Sequence, residues 1–431
     1  MHFDMKTAYF HSLGCKVNAY EISSLSYELE EHGYTKADAP GQADLIVLNT
    51  CSVTAKADQK SRQHISSFRR RNPSAVILVM GCYSQCHAQK CAELGADIVL
   101  GASMRSKALP YIEQFLATKQ KIIDVKKTLR HEEYEELSAP ALCENARAYL
   151  KIQDGCDNFC AYCYIPTLRG NSRSRDPRNV LNEAYSLYCS GYKEIVLTGI
   201  HIGGYGKDLG DGSYRLGDLI DDIFIKCPSL FRLRISSIEE SEIDEALLRA
   251  LSSHPSIADH LHIPLQSGSE AVLKAMKRHY DKKAFLGKLA LIRAIRPDIA
   301  ITTDVIAGYP GETKEQWEET VAFCREAQFA EIHVFPFSSR PNTYAATLID
   351  TPPEIKKARV AELLALSKSM RLEYEKRFYG QKMDALVEQI DEKGLFAIAH
   401  TSNYLLVKIP SSSFTPGDVA NITYSNEIAS D

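Results

Sequence analysis

Cys156-Asp157-Asn158-Phe159-Cys160-Ala161-Tyr162-Cys163 is the stretch on which the fold turns. It follows an apolar run, Tyr149 to Gln153, that reads as a buried strand, and no fourth cysteine closes the group nearby. Three thiolates on one iron-sulfur cluster leave one iron without a protein ligand, and an open metal position is where a substrate or cofactor binds. A closed structural zinc site would want four ligands. A zinc site completed by a distant His or Cys, or core cysteines grouped by coincidence, are the competing explanations. Further apolar runs follow at Glu194 to Ile200, Phe231 to Ile238, His260 to Leu265, Ala300 to Ala307 and Glu331 to Phe337. Helical stretches such as Arg178 to Ser190, Asp281 to Ile295 and Lys314 to Ala327 separate them, which predicts a full or partial parallel barrel with its site at the strand carboxyl ends.

Upstream, three runs each read as a buried strand leading at once into a cysteine loop. They are Thr7 to Ser12 before Cys15, Asp44 to Leu48 before Cys51, and Ala75 to Met80 before Cys82. Glu21 to Gly33 has helical spacing and a glycine stop. Alternating strands and helices imply a parallel sheet whose ligands collect at the carboxyl edge, so Cys15, Cys51 and Cys82 are expected on one edge, as ligands rather than core thiols. The other six cysteines, Cys86, Cys91, Cys143, Cys189, Cys227 and Cys324, lack the two-residue gap of paired ligands and read as packing residues, with Cys86 and Cys91 close enough to Cys82 to substitute for it.

The charged stretch Lys126 to Glu136 and then Ser138-Ala139-Pro140 read as a linker. A helical connector from Pro353 to Tyr379 precedes four short runs between Met383 and Ser425, which suit a small antiparallel barrel. The chain has 431 residues, 45% of them hydrophobic, enough for two or three cores and incompatible with a disordered or small disulfide scaffold. Lys and Arg number 51 against 55 Asp and Glu, so nucleic-acid binding must come from local basic patches. No apolar stretch approaches the ~20 residues of a membrane span, and Met1 to Lys16 lacks a targeting pattern, so a cytoplasmic protein with no membrane partner is expected. Twelve cysteines in such a chain are not a disulfide framework.

The cysteine spacing at the start of a parallel barrel resembles the radical S-adenosylmethionine superfamily. Ser12-Leu-Gly-Cys15-Lys-Val-Asn18, Asn49-Thr-Cys51 and Gly81-Cys82 narrow this to the methylthiotransferases. Asp154 to Pro166, Arg169-Gly170, Ser172 to Arg175, Leu197 to His201, Arg234 to Glu239, His262 to Gly268, Asp304 to Thr313 and Ser339-Arg340 continue the likeness, and the final strands resemble a TRAM domain. The resemblance implies an α/β fold: an amino-terminal doubly wound parallel domain (1–118), a linker (119–141), a central partial (β/α) radical barrel (142–372) and a small TRAM-like antiparallel β-barrel (373–431). It implies two 4Fe-4S clusters, an auxiliary one on Cys15, Cys51 and Cys82 and a radical-generating one on Cys156, Cys160 and Cys163. One S-adenosylmethionine would donate a methyl group to auxiliary sulfur. A second would yield the radical that opens an unreactive carbon, which acid or base cannot do. Strand-end residues Thr198, Gly199, Ser236, Glu239 and Gln266 are the expected cofactor contacts, with strand capping or packing as the competing roles.

Within the family, Cys15-Lys-Val-Asn18 followed by Tyr20-Glu21 is similar to the tRNA subgroup that acts at C2 of N6-threonylcarbamoyladenosine next to the anticodon. Isopentenyladenosine tRNA and a ribosomal-protein aspartate are the alternative substrates, and a zinc-containing non-catalytic RNA-binding protein is the alternative of another class. The implied partners are the tRNA anticodon stem-loop, a reducing electron donor and a sulfur donor. Lys60, Arg62, Arg69, Arg70 and Arg71, then Arg169, Arg173, Arg175 and Arg178, are the expected phosphate-binding cations, against a solvated helix face and a structural loop. From Gln381 onward there are three lysines, no arginine and seven acidic residues, which puts an RNA role for that barrel in doubt and leaves stacking through Phe396 or Tyr404, or positioning of the other domains.

Overall fold

The computed structural model describes residues 6–127, 132–137 and 146–429. They divide into two compact units. One holds the residues up to 137 with Gln153–Phe159 and Cys163–Arg175; the other holds residues 146–152, Cys160–Tyr162 and everything from Asp176 onward.

In the first unit the chain runs β1 (Lys6–Ser12), α1 (Lys16–Glu31), β2 (Tyr34–Lys36), β3 (Leu45–Thr50), α2 (Ala55–Arg71), β4 (Val76–Gly81), α3 (Cys82–Glu93), β5 (Ile98–Leu100), α4 (Ala108–Thr118) and β6 (Ile122–Asp124). The strands make one parallel sheet in the order β2-β1-β3-β4-β5-β6. Leu29 of α1 and Ile112 of α4 pack on one face, Phe68 of α2 and Tyr83 of α3 on the other. That double cover explains why Leu45-Ile-Val-Leu48 is a continuous apolar run rather than an alternating one. Helix α2 starts where the Thr54 hydroxyl accepts from the Ala57 amide at 3.2 Å, and ends on Arg69, Arg70 and Arg71, whose charge suits a helix carboxyl end. Strand order reverses between β1 and β3, the place where such sheets leave a crevice at their carboxyl ends.

From residue 146 come β7 (Arg147–Lys151), β8 (Gln153–Asp154), α5 (Ile165–Arg169) and β9 (Arg173–Ser174); β8 pairs antiparallel with β9 in the first unit. The second unit continues with α6 (Pro177–Cys189), β10 (Glu194–Thr198), α7 (Leu216–Lys226), β11 (Arg232–Ile235), α8 (Glu245–Ser253), β12 (His260–His262), α9 (Glu270–Ala275), α10 (Lys282–Ile295), β13 (Ala300–Ala307), α11 (Lys314–Ala327), β14 (Glu331–Pro336) and α12 (Pro353–Lys376). Parallel sheets β7-β10-β11 and β12-β13-β14 meet through a parallel bridge from Leu233 to Ile257. Six strands in chain order make a partial (β/α) barrel, as the sequence predicts.

The last strands, β15 (Lys382–Ile390), β16 (Phe396–Thr401), β17 (Leu406–Pro410) and β18 (Val419–Thr423), form an antiparallel sheet ordered β17-β16-β15-β18. It curls into a half-barrel, with a register shift between Val387 and Gln389 sharpening the twist, and the outer strands β17 and β18 are not paired to close it. This sheet seats on barrel strand β11: Arg232 donates to the carbonyls of His400 and Asp384, both at 3.3 Å. Beneath it Glu194 receives Arg234 at 2.8 Å, Arg147 at 3.0 Å and Arg232 at 3.2 Å. Part of the stretch read as a linker is docked instead: Glu135 accepts from Arg105 at 2.6 Å and from the Ser106 amide at 2.9 Å. Ser138-Ala139-Pro140 and Cys143 lie outside the described residues.

Candidate functional site

Cys15 stands three residues past β1, and Cys51 and Cys82 immediately past β3 and β4, so the sheet's carboxyl edge presents all three. Gly14 and Gly81, at φ +102° and +103°, make the turns. A Cβ on Gly14 would come within 2.8 Å of the Cys51 Cβ and 2.9 Å of its sulfur, so the loop closes on Cys51 only with glycine there. Asn18 ties the loops together, donating through Nδ2 to the Leu13 carbonyl at 2.7 Å and the Thr50 carbonyl at 3.1 Å. Behind the cysteines lies a buried ionic cluster. Arg169 on α5 reaches Glu21 at 2.8 Å, Asp154 at 3.1 Å, the Asn18 side-chain oxygen at 2.7 Å and the Cys82 sulfur at 3.4 Å. Arg105 shares Glu21 at 2.8 Å, and Asn49 donates to the same carboxylate at 3.1 Å. Burial pushes the Cys82 thiol up to about 12 and outweighs the opposing pull of Arg169, so metal ligation there would release a proton.

The second triplet follows β8. Cys156 is fixed by its amide, which donates to the Gly170 carbonyl at 3.0 Å, and its sulfur accepts from the Asn158 amide at 3.5 Å. Asp157 accepts from Asn171 at 2.7 Å. In the second unit, Cys160 accepts from Arg278 at 3.3 Å, and Arg278 is paired in turn with Glu239. Ala161 is held on both sides, its amide donating to the Met276 carbonyl at 2.9 Å and its carbonyl accepting from the Ala345 amide at 2.8 Å. Both triplets are thus all-thiol donor sets with N–H donors aimed at a sulfur, which suits charged thiolates on iron. Among the described residues no three His, Cys, Asp or Glu side chains converge closely enough to share a single metal ion. Thiolates on a cluster bind separate irons and need no such convergence.

Two family models match the chain: Uncharacterized protein family UPF0004 over residues 7–101, and the Radical SAM superfamily over residues 150–324. The first match takes in Cys15, Cys51 and Cys82, the second Cys156, Cys160 and Cys163. The chain is 42% identical over 424 residues to the threonylcarbamoyladenosine tRNA methylthiotransferase MtaB of Bacillus subtilis, covering 97% of this chain and 93% of that protein. This chain belongs to the radical S-adenosylmethionine tRNA methylthiotransferases. It is also 34% identical to a tRNA-2-methylthio-N(6)-dimethylallyladenosine synthase of Geobacillus thermodenitrificans, over 88% of this chain and 73% of that one. The radical S-adenosylmethionine methyltransferase TsrM of Kitasatospora setae shares the fold, with a TM-score of 0.59 at 14% identity, over 79% of this chain and 77% of that one.

The strand-end residues of this methylthiotransferase gather in the second unit. Thr198 ends β10 and its carbonyl accepts from the Ile152 amide at 2.9 Å; Gly199 follows, half-buried. Ser236 follows β11, bonded through its amide to Leu197. Thr198 and Ser236 are buried, whereas Glu239 and Gln266 are partly exposed. Gln266 holds φ +63° between the Asp304 carbonyl and the Ile306 amide, a left-handed conformation uncommon outside glycine. Arg278 was missed by sequence reasoning, because nothing local marks which loop arginine folds back on a cysteine.

The expected RNA-facing cations separate into two groups. Lys60, Arg70 and Arg71 are exposed on α2, and Arg62 is half-buried with its guanidinium 6.0 Å from the Tyr83 ring centroid. Arg69 is turned inward, donating to the carbonyls of Gly95, Pro73 and Ala75 and paired with Asp97. Arg169, Arg173 and Arg175 are buried, their charge met by Glu21, Asp154 and Glu136 rather than left for phosphate. Arg178 is exposed and paired with Asp176 at 3.0 Å. In the last sheet the half-buried Tyr404 ring lies against His260 and His400 at 4.6 and 4.7 Å, with Arg234 at 5.0 Å. Phe396 is covered by Lys408 at 4.4 Å. Cys91, Cys227 and Cys324 are buried as packing residues and Cys86 accepts from the Tyr164 hydroxyl at 3.1 Å, but Cys189 is exposed at the end of α6.

Proposed function

We propose that this chain methylthiolates C2 of N6-threonylcarbamoyladenosine next to the anticodon of tRNA, in the cytoplasm, giving the 2-methylthio derivative. The observation that carries this is the 42% identity over almost the whole chain to a protein named for that substrate, against 34% for one named for the dimethylallyl substrate. Asn18 and Glu21, which belong to the motif that resembles this subgroup in sequence, both contact Arg169 behind the first cysteine triplet. Cys15, Cys51 and Cys82 would hold one 4Fe-4S cluster, and Cys156, Cys160 and Cys163 the other. When bound, the clusters supply the electron that cleaves S-adenosylmethionine and the sulfur that is transferred, fed by a reducing electron donor and a sulfur donor. Gly199, Glu239 and Gln266 offer surface to S-adenosylmethionine, with Thr198 and Ser236 shaping the strand ends beneath. Among the described residues no helix is long and apolar enough to cross a membrane.

Mass spectrometry of tRNA nucleosides from cells with and without the gene tests the assignment. The 2-methylthio-threonylcarbamoyl nucleoside should vanish with the gene, and tRNA lacking the threonylcarbamoyl group should not be methylthiolated. Loss of the isopentenyl-derived nucleoside instead would favour the second substrate. A colourless, zinc-loaded protein after anaerobic reconstitution, unable to cleave S-adenosylmethionine, would refute the enzymatic role.

A further inference from the structure

Tyr344 is a large aromatic side chain left in the open, 56% exposed, and the Lys277 ammonium lies 5.6 Å from its ring centroid. Each residue is chained to a buried neighbour. Met276 and Ala345 pack with Val272, Tyr309 and Phe337 in one small apolar cluster, and Tyr162 of the cysteine loop packs against it. The same two neighbours make the backbone bonds that grip Ala161, between Cys160 and Cys163. The exposed pair is therefore held in fixed register with the cysteine loop rather than hung on a free surface loop. Lys277 keeps a left-handed φ of +58° and Asn342, just before Tyr344, one of +63°, conformations that cost energy in residues other than glycine and that the packing beneath sustains. Arg278, next in the chain to Lys277, is the residue that reaches Cys160.

We propose that Tyr344 and Lys277 form a platform for a nucleotide flanking the target adenosine, the ring stacking on the base and the ammonium meeting the adjoining phosphate. This rests on the tRNA substrate proposed above and deepens it. Single-stranded loops are recognised by stacking unpaired bases on aromatic side chains, and a largely exposed aromatic ring with a cation over it offers both contacts an unpaired nucleotide needs, the base on the ring's open surface and the phosphate on the ammonium. An enzyme that acts on a base must draw it away from its neighbours, and a flanking base held beside the cysteine loop keeps the strand in place while that happens. An exposed cation–aromatic pair with no ligand would be worth little and would need no rigid support.

The test uses the full-length holoenzyme and an anticodon stem-loop that carries the threonylcarbamoyl group and a fluorescent adenine analogue beside the target. Binding to the unaltered protein should quench the analogue. Tyr344→Ala should abolish the quench and weaken binding about 5- to 150-fold, the range that base stacking on one aromatic ring supports. Tyr344→Phe should keep both, and Lys277→Met should weaken binding with a shallower salt dependence. Equal thermal transitions for all variants would separate loss of contact from loss of fold. If the unaltered protein binds the stem-loop and Tyr344→Ala binds it equally well, the platform is refuted and the tRNA assignment stands. If the unaltered protein does not bind the stem-loop, the tRNA assignment fails and takes the platform with it.

Discussion

Arg169 and Glu21, 148 residues apart in sequence, meet at 2.8 Å with both side chains fully buried. The pair ties α5, just downstream of the second cysteine triplet, to α1, which begins immediately after Cys15. Asn18, Asp154 and Cys82 fill the other sides of the guanidinium, so one arginine braces the loops that follow β1 and β4. A fork of donors can satisfy that many acceptors at once, which the single ammonium of lysine cannot.

Removing one partner of this cluster should be severe. Glu21→Ala leaves Arg169 and Arg105 short of a shared carboxylate in a buried site, and breaking a buried pair in that way costs about 3–5 kcal/mol. Urea unfolding of the first unit's signal measures it. Arg169→Lys should recover only part of the stability, and a loss below about 1 kcal/mol for Glu21→Ala would show that the cluster is not what holds the loops.

The two cysteine triplets should separate by function. Cys160→Ala should end reductive cleavage of S-adenosylmethionine, read as 5′-deoxyadenosine, because the radical-generating cluster loses a thiolate. Cys51→Ala should leave unproductive cleavage while ending methylthiolation. Equal loss of cleavage in both folded variants would contradict the division of roles.

The exposed face of α2 should set the salt dependence of RNA binding. Arg70→Gln with Arg71→Gln removes two exposed cations, so tRNA affinity should drop and its slope against salt should become shallower by about two. Arg69→Gln should act differently, lowering the melting temperature, because that guanidinium holds the Gly95 and Ala75 carbonyls in place. Affinity measured at several salt concentrations, alongside melting curves, distinguishes the two effects.

Stability of the second unit should fall in acid through Glu194. Burial alone would raise this carboxyl, but Arg234, Arg147 and Arg232 outweigh it and hold it at about 2, below the ordinary 4.5. A carboxyl with a lowered value stabilises the fold above its unfolded value, and that contribution is lost as pH falls through the folded one. The unfolding midpoint should therefore decline between about pH 4.5 and 2, and Glu194→Gln should be less stable at neutral pH and flatter across that window. An unchanged pH profile in the variant would exclude Glu194 as the source.

Much of this architecture was legible along the chain. The run Leu45 to Leu48 had to be a buried strand, Ala300–Ala307 and Lys314–Ala327 have the bounds that their patterns give, and the loops carrying Cys15, Cys51, Cys82 and the Cys156–Cys163 group follow strands as read from the pattern. These are local properties: apolar spacing, a hydroxyl at a helix start and a glycine at a turn act within a few residues. The four short runs at the end form the small antiparallel barrel expected of them, but how far it curls depends on whether β17 and β18 meet, which neither strand encodes.

What the sequence by itself determined was therefore the order of the elements, the two cysteine triplets and the family they belong to. Only the tertiary structure decided which charges face water. Arg169, Arg173 and Arg175 look like a solvated basic run until Glu21, Asp154 and Glu136 are brought to them, and Arg69 looks like its neighbours Arg70 and Arg71 until the Gly95 carbonyl and Asp97 arrive beside it. Tyr344 and Lys277 are 67 positions apart and mean nothing to each other until Met276 and Ala345 share a core. A charge or a ring carries no mark of its partner in its own neighbourhood of sequence, because a guanidinium's destination is set by long-range packing and the cost of burying it unpaired, and both exist only once the chain has folded.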